Sequence, residues 1–238
     1  MKKIINNISN AVTCLNLLCG SLAIVASFSC FDETLWGLQG YQLAFLLITL
    51  GAIADFLDGF SARMLHAVSG IGKELDSLSD LVTFGLAPAM VIYNLMHAAV
   101  PDSHWSLTAM LLPVFGALRL ARFNVDTEQT TTFTGLPIPA NAIFWIGFAA
   151  WYATHHTISQ WVVVACIVAL SLLMVCNLRM FSLKLHNMSL RENWAQFLLV
   201  VGAVACVVLM GLPGLAVTIA LYVLLAVCKN TFAQADTH

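Results

Sequence analysis

Eight apolar segments follow one another along this sequence, and they constrain the fold more than any other feature. A helix rises about 1.5 Å per residue, so a hydrocarbon core of about 30 Å requires roughly 20 apolar residues per span. With 60% hydrophobic and 9% charged residues, the sequence predicts an all-α, polytopic membrane bundle of about eight transmembrane helices. The predicted spans are Ala11–Phe31, Tyr41–Met64, Leu78–Ala99, Trp105–Ala121, Ile138–Thr154, Ile158–Leu178, Trp194–Leu212 and Pro213–Cys228.

The basic residues predict how the spans are oriented. With eight spans and a cytoplasmic N-terminus, all ten Lys and Arg residues fall on the cytoplasmic side, as the positive-inside rule requires. They are Lys2, Lys3, Arg63, Lys73, Arg119, Arg122, Arg179, Lys184, Arg191 and Lys229. We therefore expect a multi-pass protein with both termini in the cytoplasm. Because no eukaryotic targeting signal is evident, we expect the membrane to be a bacterial cytoplasmic (inner) membrane, and we expect no nucleic-acid partner.

Four aspartates lie close together in the stretch DFLDGFSARMLHAVSGIGKELDSLSD. Asp55 and Asp58 are three residues apart, and Asp76 and Asp80 are four apart, so each pair lies on one face of a helix. Asp55 follows Tyr41 by 14 residues, which places it about 21 Å into the membrane, near the cytoplasmic boundary. Because the next span returns antiparallel, we expect all four carboxylates to converge at the depth of the lipid phosphates.

Carboxylates at this depth need compensating positive charge, because an unpaired charge in a membrane costs at least about 3 kcal/mol. Arg63 and Lys73 can offset part of the charge, and two divalent cations can offset all of it. Oxygen-only ligands favour Mg²⁺, Mn²⁺ or Ca²⁺, and a pair of such ions supports phosphoryl transfer. The small residues Gly59, Ala62 and Gly72 follow the same faces and leave room for a bulky anion.

The complete pattern, D-x2-D-G-x2-A-R-x8-G-x3-D-x3-D, resembles the signature of the CDP-alcohol phosphatidyltransferase family. The resemblance implies one membrane domain over residues 1–238, with a six-helix core at about 11–180 and two extra C-terminal spans at about 194–228. It also implies transfer of a phosphatidyl (or similar) group from a CDP-linked lipid to an alcohol, with release of CMP. Two Mg²⁺ or Mn²⁺ ions per site and a homodimer are further expectations from the family.

The resemblance assigns a role to each fixed position of the pattern. Metal binding is expected of Asp55, Asp58, Asp76 and Asp80. Asp80 is also expected to act as the general base on the acceptor hydroxyl. Close approach of the cytidine and diphosphate to the backbone is expected at Gly59, Ala62 and Gly72, and contact with phosphate at Arg63. Three nearby polar residues are candidates for the same ligand: Thr13, Asn16 and Lys73. Each of these three also has a structural alternative, as a helix–helix hydrogen bond for Thr13 and Asn16 or as a loop anchor for Lys73.

Three flanking motifs resemble the members of this family that use serine as the acceptor. They are LNLLCG at Leu15–Gly20, LRLARFN at Leu118–Asn124 and TGLPIPAN at Thr134–Asn141. The expected substrates are CDP-diacylglycerol and L-serine, and the expected products are phosphatidylserine and CMP. Arg119 and Arg122 lie three apart on one helix face and can bind a carboxylate, with Asn124 as a further polar contact.

Several alternatives remain open at the level of sequence. Glycerol 3-phosphate or inositol phosphate would also be bound by arginines, and Arg119 and Arg122 can instead be anchors beside lipid headgroups. A cation transporter would also place carboxylates in the membrane, although closer to its midplane and with broken helices or repeats. A structural network of carboxylates and basic residues is the remaining alternative, but it would not require interleaved glycines.

Overall fold

The structure is a computed structural model, and it describes residues 2–64, 70–125, 133–155, 159–181 and 193–235. Within these ranges almost all of the chain is helical, which confirms the predicted all-α membrane fold. The α-helices are α1 (Lys2–Ser27), α2 (Gly40–Met64), α3 (Gly70–Asp80), α4 (Ala87–Ala99), α5 (Leu111–Val125), α6 (Ile138–Thr154), α7 (Gln160–Val175), α8 (Trp194–Met210) and α9 (Gly214–Ala235).

Five helical segments of the described chain are long and apolar enough to cross a membrane. They are Asn10–Ser27, Gly40–Phe60, Gly70–Ala99, His104–Val125 and Gly214–Thr231. The other three predicted spans correspond to α6, α7 and α8, which have 17, 16 and 17 residues and so rise only about 24–26 Å. A membrane span has about 17–25 residues, so α6 and α8 lie at the short end of that range and α7 is one residue shorter.

The third span differs from its prediction in where it begins and in its internal geometry. It begins at Gly70 rather than Leu78, because two polar turns extend the helix beyond its apolar part. A π-helical segment, Leu81–Leu86, then separates α3 from α4. Pro88 lies in the first turn of α4, where it lacks an amide hydrogen, and the amide of Ala87 donates to the carbonyl of Val82 five residues earlier. The wide turn therefore begins directly after Asp80.

Close packing joins α1 to α2 and to the π-helical segment. A Cβ atom at Gly20 of α1 would lie 2.7 Å from the Cα of Thr83, and one at Gly51 of α2 would lie 2.9 Å from Oδ1 of Asn16. Real Cβ atoms do not approach their neighbours this closely, so glycine at both positions allows the three segments to meet. The Thr83 hydroxyl also donates to the carbonyl of Asn16 at 3.0 Å.

The C-terminal helices join the rest of the molecule at two levels. Near the end of α7, β1 (Phe133–Thr134) pairs antiparallel with β2 (Arg179–Met180). The buried hydroxyl of Tyr222 on α9 donates to the carbonyl of Phe181 at 2.9 Å, and Asn230 donates to the carbonyl of Arg179 at 2.8 Å. At the opposite end of these two helices, the turn between α8 and α9 packs against α6.

Candidate active site

Three of the four predicted metal ligands come together between α2 and α3. One carboxylate oxygen from each of Asp55, Asp76 and Asp80 lies within 4.8 Å of the other two. All three side chains are partly buried. Asp55 is close enough to both Asp76 and Asp80 for carboxyl-to-carboxyl hydrogen bonds. The antiparallel arrangement expected from the sequence therefore brings the two pairs together, and we name Asp55, Asp76 and Asp80 the acidic cluster.

Asp58 lies beside the acidic cluster rather than within it. Its side chain is 6% exposed and accepts a hydrogen bond from the Thr13 hydroxyl of α1. Asp58 nevertheless interacts electrostatically with both Asp55 and Asp76. A buried carboxylate one helical turn from the cluster adds negative potential to it, and Thr13 holds that carboxylate in position.

Asn16 connects α1 to the acidic cluster. Its amide nitrogen Nδ2 donates to Oδ1 of Asp80 at 3.4 Å, and the residue is fully buried. Thr13 and Asn16 thus both contact aspartates, and they lie three apart on the buried face of α1. These contacts are the helix–helix hydrogen bonds that the sequence offered as one of two interpretations. A contact of either residue with the nucleotide remains a prediction.

Arg119 is a basic residue whose charge acts on Asp80. It is partly buried on α5. Its guanidinium carbon also lies 5.3 Å from the centre of the Phe123 ring. Since a guanidinium presents several donors in a fixed plane, Arg119 can hold an anionic group beside the cluster.

Arg122 faces a different part of the protein. Its guanidinium donates to the carbonyl of Val175 at 3.1 Å and to Oδ1 of Asn177 at 2.7 Å. These acceptors lie at the C-terminal end of α7, where arginine commonly satisfies free carbonyls. The two arginines predicted to share one face are therefore engaged separately, Arg119 with Asp80 and Arg122 with the end of α7.

Lys73 and Asn124 connect α3 to the end of α5. The Lys73 ammonium donates to the carbonyl of Asn124 at 3.0 Å, and the Asn124 amide donates to the Ser77 hydroxyl at 2.8 Å. Because Ser77 follows Asp76 directly, this bridge holds the first turns of α3 against α5. The Lys73 contact matches the interpretation of that residue as an anchor, and its contact with phosphate remains a prediction.

The small residues of the aspartate pattern lie one turn from the carboxylates. Gly59 is four residues after Asp55 and is exposed, and Gly72 is four residues before Asp76 and partly exposed. The predicted positions Ala62 and Arg63 belong to the last turn of α2, but their side chains lie outside the described part of the structure.

Sequence analysis missed two hydroxyl residues that support the site. The buried Ser79 hydroxyl approaches the Thr13 carbonyl at 3.2 Å and the Leu75 carbonyl at 2.8 Å. Thr83 bonds to the Asn16 carbonyl, as described above. Ser79 and Thr83 follow Asp76 by three and seven residues. They therefore lie on the same helical face as Asp76 and Asp80, and this spacing could have identified them from the sequence.

The acidic cluster has donors that suit a hard divalent cation. Metal–oxygen distances are about 2.0–2.6 Å for Mg²⁺ and Ca²⁺, so oxygens about 4–5 Å apart can contact one ion. The cluster meets that requirement with carboxylate oxygens from three residues. Nitrogen and sulfur ligands, which zinc prefers, do not contribute to it. The acidic cluster can therefore hold a metal ion of the Mg²⁺, Mn²⁺ or Ca²⁺ type.

Comparison with known families agrees with the geometry of the site. The sequence model described as CDP-alcohol phosphatidyltransferase matches residues 6–173 of this chain. The match includes α1 to α7 apart from the first four residues of α1 and the last two of α7, and with them the acidic cluster, Arg119 and Arg122. Helices α8 and α9 lie beyond it.

Curated relatives with the same name come from distant organisms. The CDP-diacylglycerol–serine O-phosphatidyltransferase of Bacillus subtilis is 40% identical over 56% of this chain and 70% of its own length. That of Methanocaldococcus jannaschii is 40% identical over 62% of this chain and 62% of its own length. That of Helicobacter pylori strain 26695 is 30% identical and covers 81% of both chains. The M. jannaschii match thus spans less than two thirds of that relative.

Proposed function

Because this chain belongs to the CDP-alcohol phosphatidyltransferase family, we propose that it transfers the phosphatidyl group of CDP-diacylglycerol to the hydroxyl of L-serine. The products are phosphatidylserine and CMP. The observation that carries the proposal is the acidic cluster, whose three carboxylates meet between two membrane helices at the family's spacing. The choice of serine is supported by the flanking motifs and by the names of the relatives described above.

The four aspartates are the proposed holders of two Mg²⁺ or Mn²⁺ ions. Such ions, when bound, neutralise charge on the attacking and leaving oxygens of an in-line displacement at phosphorus. Asp55, Asp76 and Asp80 supply oxygens close enough to share an ion, and Asp58 adds its charge from one turn away. Thr13 and Asn16 fix two of the four carboxylates from α1, which limits their reorganisation during the reaction.

Asp80 accepts the proton of the serine hydroxyl. As the proton moves to the carboxylate, a bond forms between the serine oxygen and the lipid-linked phosphorus, and the bond from that phosphorus to the CMP oxygen breaks. Asp80 is suited to this role because the Asn16 amide holds it in place and the Arg119 charge lies beside it. A base positioned in this way contributes about 10²–10⁴-fold to a rate.

Arg119 is the proposed partner of the serine carboxylate. Its position beside Asp80 places an anion-binding group next to the base, so a bound amino acid can present its hydroxyl to the carboxylate. Arg122 and Asn124 contribute from the same helix. Arg122 bonds to the end of α7 and Asn124 bonds to Ser77, and these bonds give the two residues a positioning role beside the proposed serine site.

The nucleotide occupies the other side of the acidic cluster. Gly59 and Gly72 leave space beside the carboxylates for the cytidine and diphosphate, and Ala62 leaves similar space at the end of α2. Arg63 and Lys73 bind phosphate there. The diacylglycerol remains in the bilayer, the site faces the cytoplasm from the inner membrane, and the protein acts as a homodimer.

The test is CMP release by the purified protein in detergent. CDP-diacylglycerol and Mn²⁺ or Mg²⁺ are supplied with one acceptor at a time. The proposal predicts rapid release with L-serine and at least about tenfold slower release with glycerol 3-phosphate or inositol phosphate, because a pocket built for one acceptor leaves polar groups unpaired with another. Preference for a phosphorylated acceptor would retain the aspartate chemistry and reject serine. No release with any acceptor from folded, metal-loaded protein would reject the phosphatidyltransferase proposal.

A further inference from the structure

Tyr222 connects the C-terminal helices to the acidic cluster through Arg119. It lies on α9, beyond the part of the chain that the family model matches. Its side chain is 8% exposed, and its hydroxyl and the charge of Arg119 act on each other electrostatically. The charge of Asp80 also acts on Arg119. The guanidinium on α5 is therefore within electrostatic reach of a carboxylate on α3 and of a hydroxyl on α9.

A hydrogen bond and a ring contact hold Tyr222 in place. Its hydroxyl donates to the carbonyl of Phe181 at 2.9 Å, and its ring packs edge-on against the Phe181 ring, with ring centres 5.0 Å apart. A tyrosine hydroxyl has one proton, which Phe181 takes here, so its oxygen keeps lone pairs for other donors. A guanidinium is a donor and never an acceptor. Tyr222 can therefore serve Arg119 only as a neutral acceptor.

The short segment that follows α7 contacts both α5 and α9. Arg122, one turn after Arg119 on α5, donates to the carbonyl of Val175 at the end of α7. Phe181, the acceptor for Tyr222, is six residues further along the same segment. The segment therefore sets the position of α9 relative to the end of α5, and with it the position of the Tyr222 hydroxyl relative to the Arg119 guanidinium.

Asp80 and Tyr222 act on Arg119 in different ways. Opposite charges attract, so a guanidinium without a second partner would move onto the Asp80 carboxylate. Such an ion pair would occupy both the cation that binds the serine carboxylate and the carboxylate that accepts the serine proton. A hydroxyl oxygen is uncharged, so it orients the guanidinium and leaves its positive charge for an incoming anion. A neutral acceptor on α9 thus suits an arginine that must stay available beside a general base.

We infer that Tyr222 is a positioning residue for the acceptor substrate. Its hydroxyl holds the Arg119 guanidinium away from Asp80 and toward the carboxylate of the incoming amino acid. The inference rests on the proposed function and specifies what sets the affinity for serine. It also gives α9, which lies beyond the family match, a part in the site. A positioning residue of this kind affects the KM for serine more than kcat, because saturating serine draws the guanidinium back to its working position.

Removal of the hydroxyl tests the inference. Tyr222→Phe keeps the ring, and Asn230→Ala is the matched control. Asn230 lies eight residues later on α9, or about 12 Å along the helix, and donates to the carbonyl of Arg179 at 2.8 Å. The control therefore also removes a bond between α9 and the segment after α7. Both variants, Arg119→Lys and the double variant Tyr222→Phe/Arg119→Lys are assayed for CMP release from CDP-diacylglycerol with varied L-serine, at a temperature where thermal unfolding shows all of them folded.

The inference predicts that Tyr222→Phe raises the KM for serine about fivefold, which is the effect of one lost hydrogen-bond acceptor, and changes kcat by less than about twofold. The KM of Asn230→Ala should stay within about twofold of wild type. In the double variant, loss of the Tyr222 hydroxyl should add less than about twofold to the KM of Arg119→Lys. A residue that acts through the guanidinium has little further effect once the guanidinium is gone.

Three results would overturn the inference. An unchanged KM in Tyr222→Phe would show that the hydroxyl does not act on serine binding. Equal increases in Tyr222→Phe and Asn230→Ala would show that the packing of α9, rather than the hydroxyl, is what matters. A fivefold increase that is repeated in full in the double variant would show that Tyr222 acts independently of Arg119.

These results are distinct from failure of the proposed function. If wild type released CMP only with a phosphorylated acceptor, the serine assignment would fail, and a KM for serine could no longer depend on Tyr222. If wild type released no CMP with any acceptor, equilibrium binding of radiolabelled L-serine would test Tyr222 by itself. Weaker binding by Tyr222→Phe than by wild type and Asn230→Ala would support the inference. Equal binding by all three proteins, or binding by none, would overturn it.

Discussion

The region around α1, α2 and α3 and the region around α8 and α9 are both helical and lie in the same membrane, yet they are held together differently. In the first, buried polar groups join the helices, as Thr13 joins Asp58 and Asn16 joins Asp80. In the second, most of α8 is apolar and exposed, with Val204 60% and Leu209 83% accessible. Hydrogen bonds have strict geometry, so the first region is suited to hold reacting groups in fixed positions. Apolar contacts do not have strict geometry, so the second region is suited to cover the surface of the helices that it packs against.

The largest effect is expected from changes to the acidic cluster. Asp80→Asn removes the proposed base while preserving size, and kcat should fall by about 10³-fold because base catalysis is lost. Binding of the nucleotide should fall by much less than kcat, because three of the four proposed metal ligands remain. Glu74→Gln is the matched control, since Glu74 is exposed on α3 outside the cluster. Turnover of Asp80→Asn at the rate of the control would remove Asp80 as the base.

The next effect distinguishes the two arginines of α5. Arg119→Lys retains the charge beside Asp80 but loses the planar pair of donors, and the KM for serine should rise by about tenfold. Arg122→Lys should change the KM for serine by less than about threefold, because Arg122 bonds to the end of α7. Steady-state kinetics with varied serine measure both values. A larger change for Arg122→Lys would reverse the assignment of the two residues.

A smaller effect is expected where the first region is packed most closely. Gly20→Ala places a methyl group 2.7 Å from the backbone of Thr83, and the resulting overpacking should lower the free energy of unfolding by about 1–3 kcal/mol. Gly70→Ala is the comparison, because a Cβ atom there meets nothing within 4 Å. Thermal unfolding in detergent measures both variants. Equal stability of the two would show that α1 can move away from the π-helical segment without cost.

The smallest effect is expected in the C-terminal region. Tyr222→Phe removes one buried hydrogen bond to the Phe181 carbonyl and should reduce the free energy of unfolding by about 1 kcal/mol. The ring itself still packs edge-on against Phe181, with ring centres 5.0 Å apart. Tyr93→Phe serves as a control for the loss of a tyrosine hydroxyl outside the C-terminal region. The Tyr93 ring stacks on His97 in α4. An unfolding temperature identical to that of the control would mean that the hydrogen bond does not hold α9 in place.

Much of the fold could be predicted from the sequence because membrane helices have a simple requirement. Long apolar runs must become helices in lipid, so the eight segments correspond to helices, and α6 has the bounds that were predicted. The family and the enzyme class suggested by the aspartate pattern are confirmed by the family match and the named relatives. Helix spacing was also sufficient to predict that Asp55, Asp76 and Asp80 would meet.

Other features depend on contacts that spacing does not reveal. The separation of Arg119 from Arg122 arises because the end of α7 offers acceptors to only one of them. The π-helical segment after Asp80 depends on Pro88 and on the packing of Thr83 against Gly20. Thr83 and Gly20 belong to different spans, so a local sequence pattern does not show this packing. An apolar groove along α2 is lined by residues from four parts of the chain, among them Phe45, Phe84, Ile146 and Leu215, so no local pattern predicts it.

The central claim is that carboxylates from α2 and α3 form one metal-dependent site. Mn²⁺ binding to the purified protein, followed by electron paramagnetic resonance, tests this most directly, with Asp55→Asn compared with wild type. The account predicts that wild type removes free Mn²⁺ in proportion to protein and that Asp55→Asn weakens binding by about tenfold or more, because one shared ligand is lost. Equal binding by the two proteins, with Glu74→Gln as the control, would contradict the account.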